Sequence, residues 1–318
     1  MTRTTGVMAV LLAVTLGLTA CGGAYDATPV PEASPEVGSV QTAPPTKSCD
    51  NATASYDPGK LKPQPAKFDD KRLSTIASRG RVIAGVSGDT FLFGSRNPAT
   101  GRIEGFDIDL VKAVAKAILG DENAYELKVI SAADRVTALD ERRVDIVVRN
   151  MTMTCERWDQ VLFSSEYYHA QQSVLAHTGS GIKGVKDLAD RRVCAPNGTS
   201  SMDNLIREAP GAIPVPARNH TGCLVLFQSG KVDAITGDDA VLAGIAAQDP
   251  YAEVVADATF SDEPYGIATN REDVELVKII NARLAQMRSN GEWTAMYNRW
   301  LADTLGKAPN PPKAVYGR

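Results

Sequence analysis

The chain has 318 residues, 43% of them hydrophobic and 23% charged, with a formal net charge of −4 and a pI near 5.5. That apolar content can bury two ordinary domains or one large one, and the near-balanced charge carries no basic footprint for nucleic acid. Five cysteines are too few for a small disulfide scaffold, and a single apolar run, at the N-terminus, excludes a polytopic membrane protein.

Residues 1–20 combine Arg3 with an apolar run from Gly6 to Leu18. The run is short for a spanning helix and has the length of a signal-peptide core. Residues 22–67 contain eight of the 18 prolines and little that can form a core, so they are expected to be an extended tether. The part around Cys49 can be pinned to the domain that follows. From residue 72 the pattern is globular α/β. Residues 81–86 form a buried strand. Gly105-Phe106-Asp107 opens a helix in which Leu110, Val111, Val114 and Ile118 recur at helical spacing. Asp107 can cap its start and Gly120 ends it. A strand over 125–130, a helix over 133–142 and a strand over 144–148 follow, an alternation that implies a parallel sheet with right-handed crossovers.

The alternation resumes after residue 177. Strands are expected at 192–195 and 232–236, an extended stretch at 212–216, and helices at 200–208, 222–228 and 239–247. Val144-Asp145-Ile146 and Val232-Asp233-Ala234 sit at matching places in two halves, as in two similar α/β lobes. Val274, Val277, Ile280, Leu284 and Met287 mark one amphipathic helix near the end, and Trp293, Met296, Tyr297 and Trp300 another.

Six motifs stand in order along this frame: Gly105-Phe106-Asp107-Ile108-Asp109-Leu110, Asn150-Met151-Thr152-Met153-Thr154-Cys155-Glu156-Arg157, Phe163-Ser164-Ser165-Glu166-Tyr167-Tyr168, Gly198-Thr199-Ser200-Ser201, Gly237-Asp238, and Asn290-Gly291-Glu292-Trp293 with Trp300-Leu301. Together they resemble the signatures of bacterial solute-binding proteins for polar amino acids, over about residues 72–305. The resemblance implies a two-lobed, type II periplasmic-binding-protein fold with a two-strand hinge near 174–177 and 258–261. Lobe 1 would span 72–176 plus 261–318, and lobe 2 would span 177–260. Leu18-Thr19-Ala20-Cys21 likewise resembles the bacterial lipobox. It implies a signal peptide over 1–20, a lipid on Cys21, a tether over 21–71 and an extracytoplasmic protein held at the cell membrane.

A free amino acid presents a carboxylate and an ammonium a few Å apart, so its capture needs a forked cation and a fixed anion. Arg157 stands at the family's carboxylate-binding arginine and Asp238 at its ammonium-binding aspartate. One lies in each half, so only a closed form pairs both with ligand. Thr152, and the backbone N–H groups of Thr152 and Ser200, supply further donors, and Thr199 is a further ligand-binding candidate. Asp89 and Phe91 occupy the family's aromatic-wall loop, with Phe93 in the core. Asn150 replaces a commoner small residue and can reach the pocket or stabilise a turn. Arg96 and Arg149 can meet a side-chain carboxylate, which favours glutamate or aspartate, with asparagine or glutamine next.

The four cysteines after Cys21 allow three pairings. Cys194 with Cys223, both in the second lobe, is the compact one and leaves Cys49 with Cys155. His169, His177 and His220 have no metal-ligand spacing, so neither metal nor cofactor is expected, and no catalytic signature is present. The expected partner is a permease of a binding-protein-dependent (ABC) importer. A membrane sensor is the alternative, an enzyme on the same fold is the less favoured one, and the chain is expected to be a monomer.

Overall fold

The computed structural model describes residues 45, 47–63, 69–256 and 258–318. The signal segment, Cys21 and most of the proline-rich stretch lie outside the described residues. Among those described, no helix is long and apolar enough to cross a membrane.

The first lobe is built on a five-stranded sheet in the order Tyr125–Val129, Val82–Val86, Ile146–Val147, Ala268–Asn270, Val161–Phe163. Val82–Val86 pairs in parallel with both of its neighbours, as the strand–helix–strand alternation requires. The last two strands return antiparallel. Helix Phe106–Leu119 buries Phe106, Ile108, Leu110, Val111 and Val114 against this sheet. Its start is a close approach: a Cβ on Gly105, at φ +142°, would lie 2.2 Å from the Phe93 carbonyl oxygen. The helix begins at Phe106, with no side-chain cap. Asp107, expected to be a cap, is therefore inside the first turn. It is fully buried and accepts from the Tyr167 hydroxyl at 2.9 Å and the Asn150 N–H at 3.2 Å.

The second sheet runs Ile213–Ala217, Arg192–Pro196, Ala234–Asp238, Tyr168–His177, Ala252–Val254. Its first three strands are parallel. Tyr168–His177 joins the lobes. Its first half pairs with Asp262–Tyr265, and its second half pairs with Ala234–Asp238 and Ala252–Val254. The first crossing thus falls at 171–172, nearer the first lobe than the expected 174–177, while the second falls at 261–262, at the edge of the expected 258–261. Val174, Leu175 and Ala176 are already members of the second sheet, opposite Thr236, Ile235 and Ala234.

The end of the tether is not unfolded. Ala54–Ser55 pairs in parallel with Val315–Tyr316, and the buried Ser55 hydroxyl donates to the Phe163 carbonyl at 2.7 Å. Cys49 is disulfide-bonded to Cys155, the Trp158 indole N–H donates to the Ala52 carbonyl at 2.6 Å, and the Arg318 guanidinium lies 3.8 Å over the Trp158 ring. These contacts provide what the segment's composition lacks, a core to fold against. The second disulfide is Cys194–Cys223, between a strand and a helix of the second lobe.

Candidate functional site

The two lobes meet along a cleft of charged and polar side chains. From the first lobe comes the short helix Cys155–Trp158, capped by the Thr154 side chain, which accepts from the Arg157 N–H. Arg157 donates from Nη1 to the Thr152 carbonyl at 2.8 Å. Arg135 stands beside it and near Arg149 as well, and Arg135 and Arg149 are buried. Burial pushes the pKa of all three guanidinium groups down, because a charged group loses its hydration there. None of the three has an ion-pair partner among the described residues. Buried cations are normally paired; Arg135 and Arg149 have no such pair, and the half-buried Arg157 has Glu263 as its leading carboxylate influence.

Asp238 ends strand Ala234–Asp238 at the N-cap position of helix Asp239–Ala246, yet its carboxylate does not cap the helix. It turns into the cleft, where Oδ2 accepts from the Tyr265 hydroxyl at 2.5 Å and Oδ1 is buried without a partner. Burial, and then the like charge of Glu263, raise its pKa. An ammonium placed at Oδ1 would satisfy the orphaned atom and favour the ionised carboxylate.

Glu263, 1% exposed on the crossing strand, fills the space between the lobes. Its Oε2 accepts from the Thr152 hydroxyl of the first lobe and the Ser200 hydroxyl of the second, each at 2.6 Å. Arg135 crosses the cleft as well, donating from Nη2 to the Gly198 carbonyl at 2.9 Å. The loop at Gly198 comes so near that a Cβ there would lie 2.8 Å from Ala133 Cα. The lobes are therefore closed on each other. The space they enclose, about 20 Å³ beside Arg135, Asn150, Thr152, Ser200 and Asp238, has room for about one water. Arg157 faces an adjoining open groove of about 590 Å³, which Thr152, Arg135, Ser200 and Glu263 also border.

The other expected site residues divide. Arg149 lines the enclosed space, its Nε donating to the Ile130 carbonyl at 2.8 Å. Asn150 lines it too, in a left-handed conformation (φ +43°) that asparagine tolerates better than most residues, and its Nδ2 is buried without a partner. Thr199 lines the space but spends its hydroxyl on its own loop, capping helix Ser200–Glu208 and donating to the Pro196 carbonyl. Asp89 borders the neighbouring groove with Arg149. Its Oδ1 accepts from the Ser87 hydroxyl at 2.9 Å, and its Oδ2 is buried and unpartnered.

Arg96 and Phe91 stand outside the enclosed space. Strands Asp89–Thr90, Gly94–Arg96 and Ile103–Glu104 make a small antiparallel sheet. It folds the exposed Arg96 back on its own hairpin, donating to the Gly101 carbonyl at 2.5 Å. Leu92 takes a left-handed turn (φ +74°) that sends Leu92 and Phe93 inward and leaves Phe91 42% exposed. Thr90 lines the space in its place. Three residues of the cleft carry no sequence signal of their own: Arg135, which reads as the polar face of a helix, Glu263, which falls in an irregular hinge stretch, and His220.

The sequence profile of the bacterial extracellular solute-binding proteins, family 3, matches residues 82–303. The chain belongs to this family. This solute-binding protein is 38% identical over 232 residues to the ABC transporter glutamine-binding protein GlnH of Bacillus subtilis (strain 168), covering 73% of this chain and 85% of the relative. It is 42% identical over 201 residues to a glutamine-binding protein of Geobacillus stearothermophilus, covering 63% and 76%. Among solved structures it resembles an ancestral arginine-binding protein bound to glutamine, with a TM-score of 0.66 and 33% identity over 72% of this chain and 99% of the other. The solute-binding protein thus has the type II periplasmic-binding fold.

Proposed function

We propose that the protein is an extracytoplasmic receptor that closes its lobes on a free polar amino acid, glutamine foremost, and delivers it to an ABC importer. The observation that carries this is the charge arrangement of the cleft. Three arginines without ion-pair partners among the described residues stand on one side, and the orphaned Asp238 Oδ1 stands on the other. A zwitterion completes both once the lobes part to admit it: its α-carboxylate takes Arg157, and its ammonium takes Asp238.

Glutamate becomes less favoured than glutamine for two reasons. Arg96 is exposed and borders the neighbouring groove rather than the enclosed space, and Asp89 offsets part of the charge of Arg149. The unpartnered Asn150 Nδ2 in the enclosed space is a donor for a carboxamide oxygen, and the unpartnered Asp89 Oδ2 beside the neighbouring groove is an acceptor that a second carboxylate would oppose. The glutamine-binding relatives support the same choice. Leu18-Thr19-Ala20-Cys21 supports a lipid anchor at Cys21.

Calorimetric titration of the domain with the common amino acids tests the proposal. Glutamine should bind most tightly. Arg157→Ala, folded by circular dichroism, should lose about 3 kcal/mol, roughly 150-fold, because the bound carboxylate is left without its fork. Absence of binding by every amino acid, or undiminished affinity in the Arg157 variant, would overturn it.

A further inference from the structure

His220 begins helix His220–Gln228, whose cap is the preceding Asn219. Its imidazole leaves the first helical position toward the cleft and lies over Gly237, the residue before Asp238. A Cβ on Gly237 would sit 2.4 Å from His220 Nε2, so the glycine makes the room that the ring uses. The ring lines the same enclosed space as Asn150 and Asp238, and Nε2 is buried with no hydrogen-bond partner. The Thr236 backbone lies near enough to favour a proton on the ring, and since Nε2 is the nitrogen without a partner the proton is assigned to Nδ1, which leaves a lone pair on Nε2.

Burial and the charges of Arg149 and Arg135 hold the ring neutral, against the opposing pull of Asp89. Arg149 and Arg135 approach from the first lobe, Asp89 from the small sheet, and Asp238 from the neighbouring strand. Burial and the Arg149 charge push the imidazole pKa down to about 4. Near neutral pH, Nε2 is therefore a hydrogen-bond acceptor and cannot donate.

We propose that His220 is a specificity-determining residue, whose Nε2 accepts a hydrogen bond from the side-chain amide N–H of glutamine and so discriminates against glutamate. This rests on the reading of the cleft as a polar amino-acid site. A carboxamide can donate to His220 Nε2 while its oxygen accepts from Asn150 Nδ2. A carboxylate offers only lone pairs, and one of its oxygens would face the Nε2 lone pair across a dry contact. A site with such a buried acceptor rejects a ligand that lacks the donor, since the acceptor then stays unpaired.

The test compares wild type, His220→Phe and His220→Gln by competition calorimetry with glutamine and glutamate. Wild type should prefer glutamine by about tenfold or more. His220→Phe keeps a ring but no acceptor, and the preference should fall about tenfold, mainly through weaker glutamine binding. His220→Gln offers a carbonyl acceptor and should retain part of the preference. In wild-type protein labelled with 15N at histidine, the unprotonated Nε2 resonance of His220 should move on addition of glutamine, a response that a purely structural ring would not give. If wild type binds no amino acid, the functional reading fails. If it binds glutamine and His220→Phe keeps the wild-type ratio, or the Nε2 resonance stays in place, the assignment of His220 fails alone. Should His220→Phe not fold, the Gln variant and the resonance decide.

Discussion

Glu263→Gln removes one charge from the point where the lobes meet. The carboxylate serves four side-chain donors. Thr152 and Ser200 donate to Oε2 at 2.6 Å, and Ser261 and Asn204 donate to Oε1 at 2.7 and 3.1 Å. A carboxamide has one acceptor oxygen, so in either orientation its NH2 faces two donors. Hydrogen bonds to a charged group contribute about 1.5–3 kcal/mol each, and two lost would cost roughly 3–6 kcal/mol. A rotated hydroxyl can accept from the NH2 and recover about 1 kcal/mol, so a net loss of about 2–5 kcal/mol is expected. For an ordered domain of this size that lowers Tm by roughly 5–10 °C. Scanning calorimetry of ligand-free protein measures this directly. X-ray scattering should also find the variant more expanded, since Thr152 and Ser200 come from opposite lobes. A double-mutant cycle with Ser200→Ala should give a coupling of about 1 kcal/mol or more. A Tm within about 1 °C of wild type, with unchanged radius of gyration, would refute the role of Glu263 as the joint between lobes.

Asp107 is held up to about 7 by burial, against an unfolded value of 3.8. The folded state therefore keeps a proton that the unfolded state loses, and this contribution to stability declines as pH rises from about 4 through 7. Urea titrations between pH 5 and 8 should find wild type losing up to about 1.4 kcal/mol per pH unit through this group, and Asp107→Asn losing less. Equal slopes would remove Asp107 from the account. Replacing Cys49 and Cys155 together by alanine opens a loop of 106 residues, worth about 4.7 kcal/mol by loop-closure entropy. Both a lower Tm and new proteolytic cleavage near residues 50–58 are expected, and an unchanged digestion pattern would mean that the segment holds without its bridge.

The sequence carried the fold because period and punctuation agreed with the final packing. Ser200–Glu208 was legible from its cap and helical spacing, and Val82–Val86 from its apolar run and the glycine after it. The hinge was not, since Tyr168–His177 has no alternation: its residues serve two sheets and change partners midway. Arg157 and Asp238 could be singled out as candidates because motifs mark them, and the structure brings both to the cleft. Phe91 and Arg96 stand outside the enclosed space because of a single left-handed residue and a three-stranded turn, details that no periodicity encodes. His220 was invisible for a different reason. Its meaning depends on the missing side chain of Gly237, seventeen positions on, and on a strand that brings the two together.

The pairing of Ala54–Ser55 with Val315–Tyr316 has a mechanical consequence. Both described chain ends grip the first lobe at one place, reinforced by the Cys49–Cys155 bridge and by Asn281, which donates to the Ser55 hydroxyl at 2.8 Å. A pull transmitted from upstream of Cys49 is thus borne by the first lobe, and the second, joined through the crossing strands, carries none of that load. Fusions or surface attachments at either end should leave the closing motion free, whereas a graft on the second lobe would add drag to the part that swings.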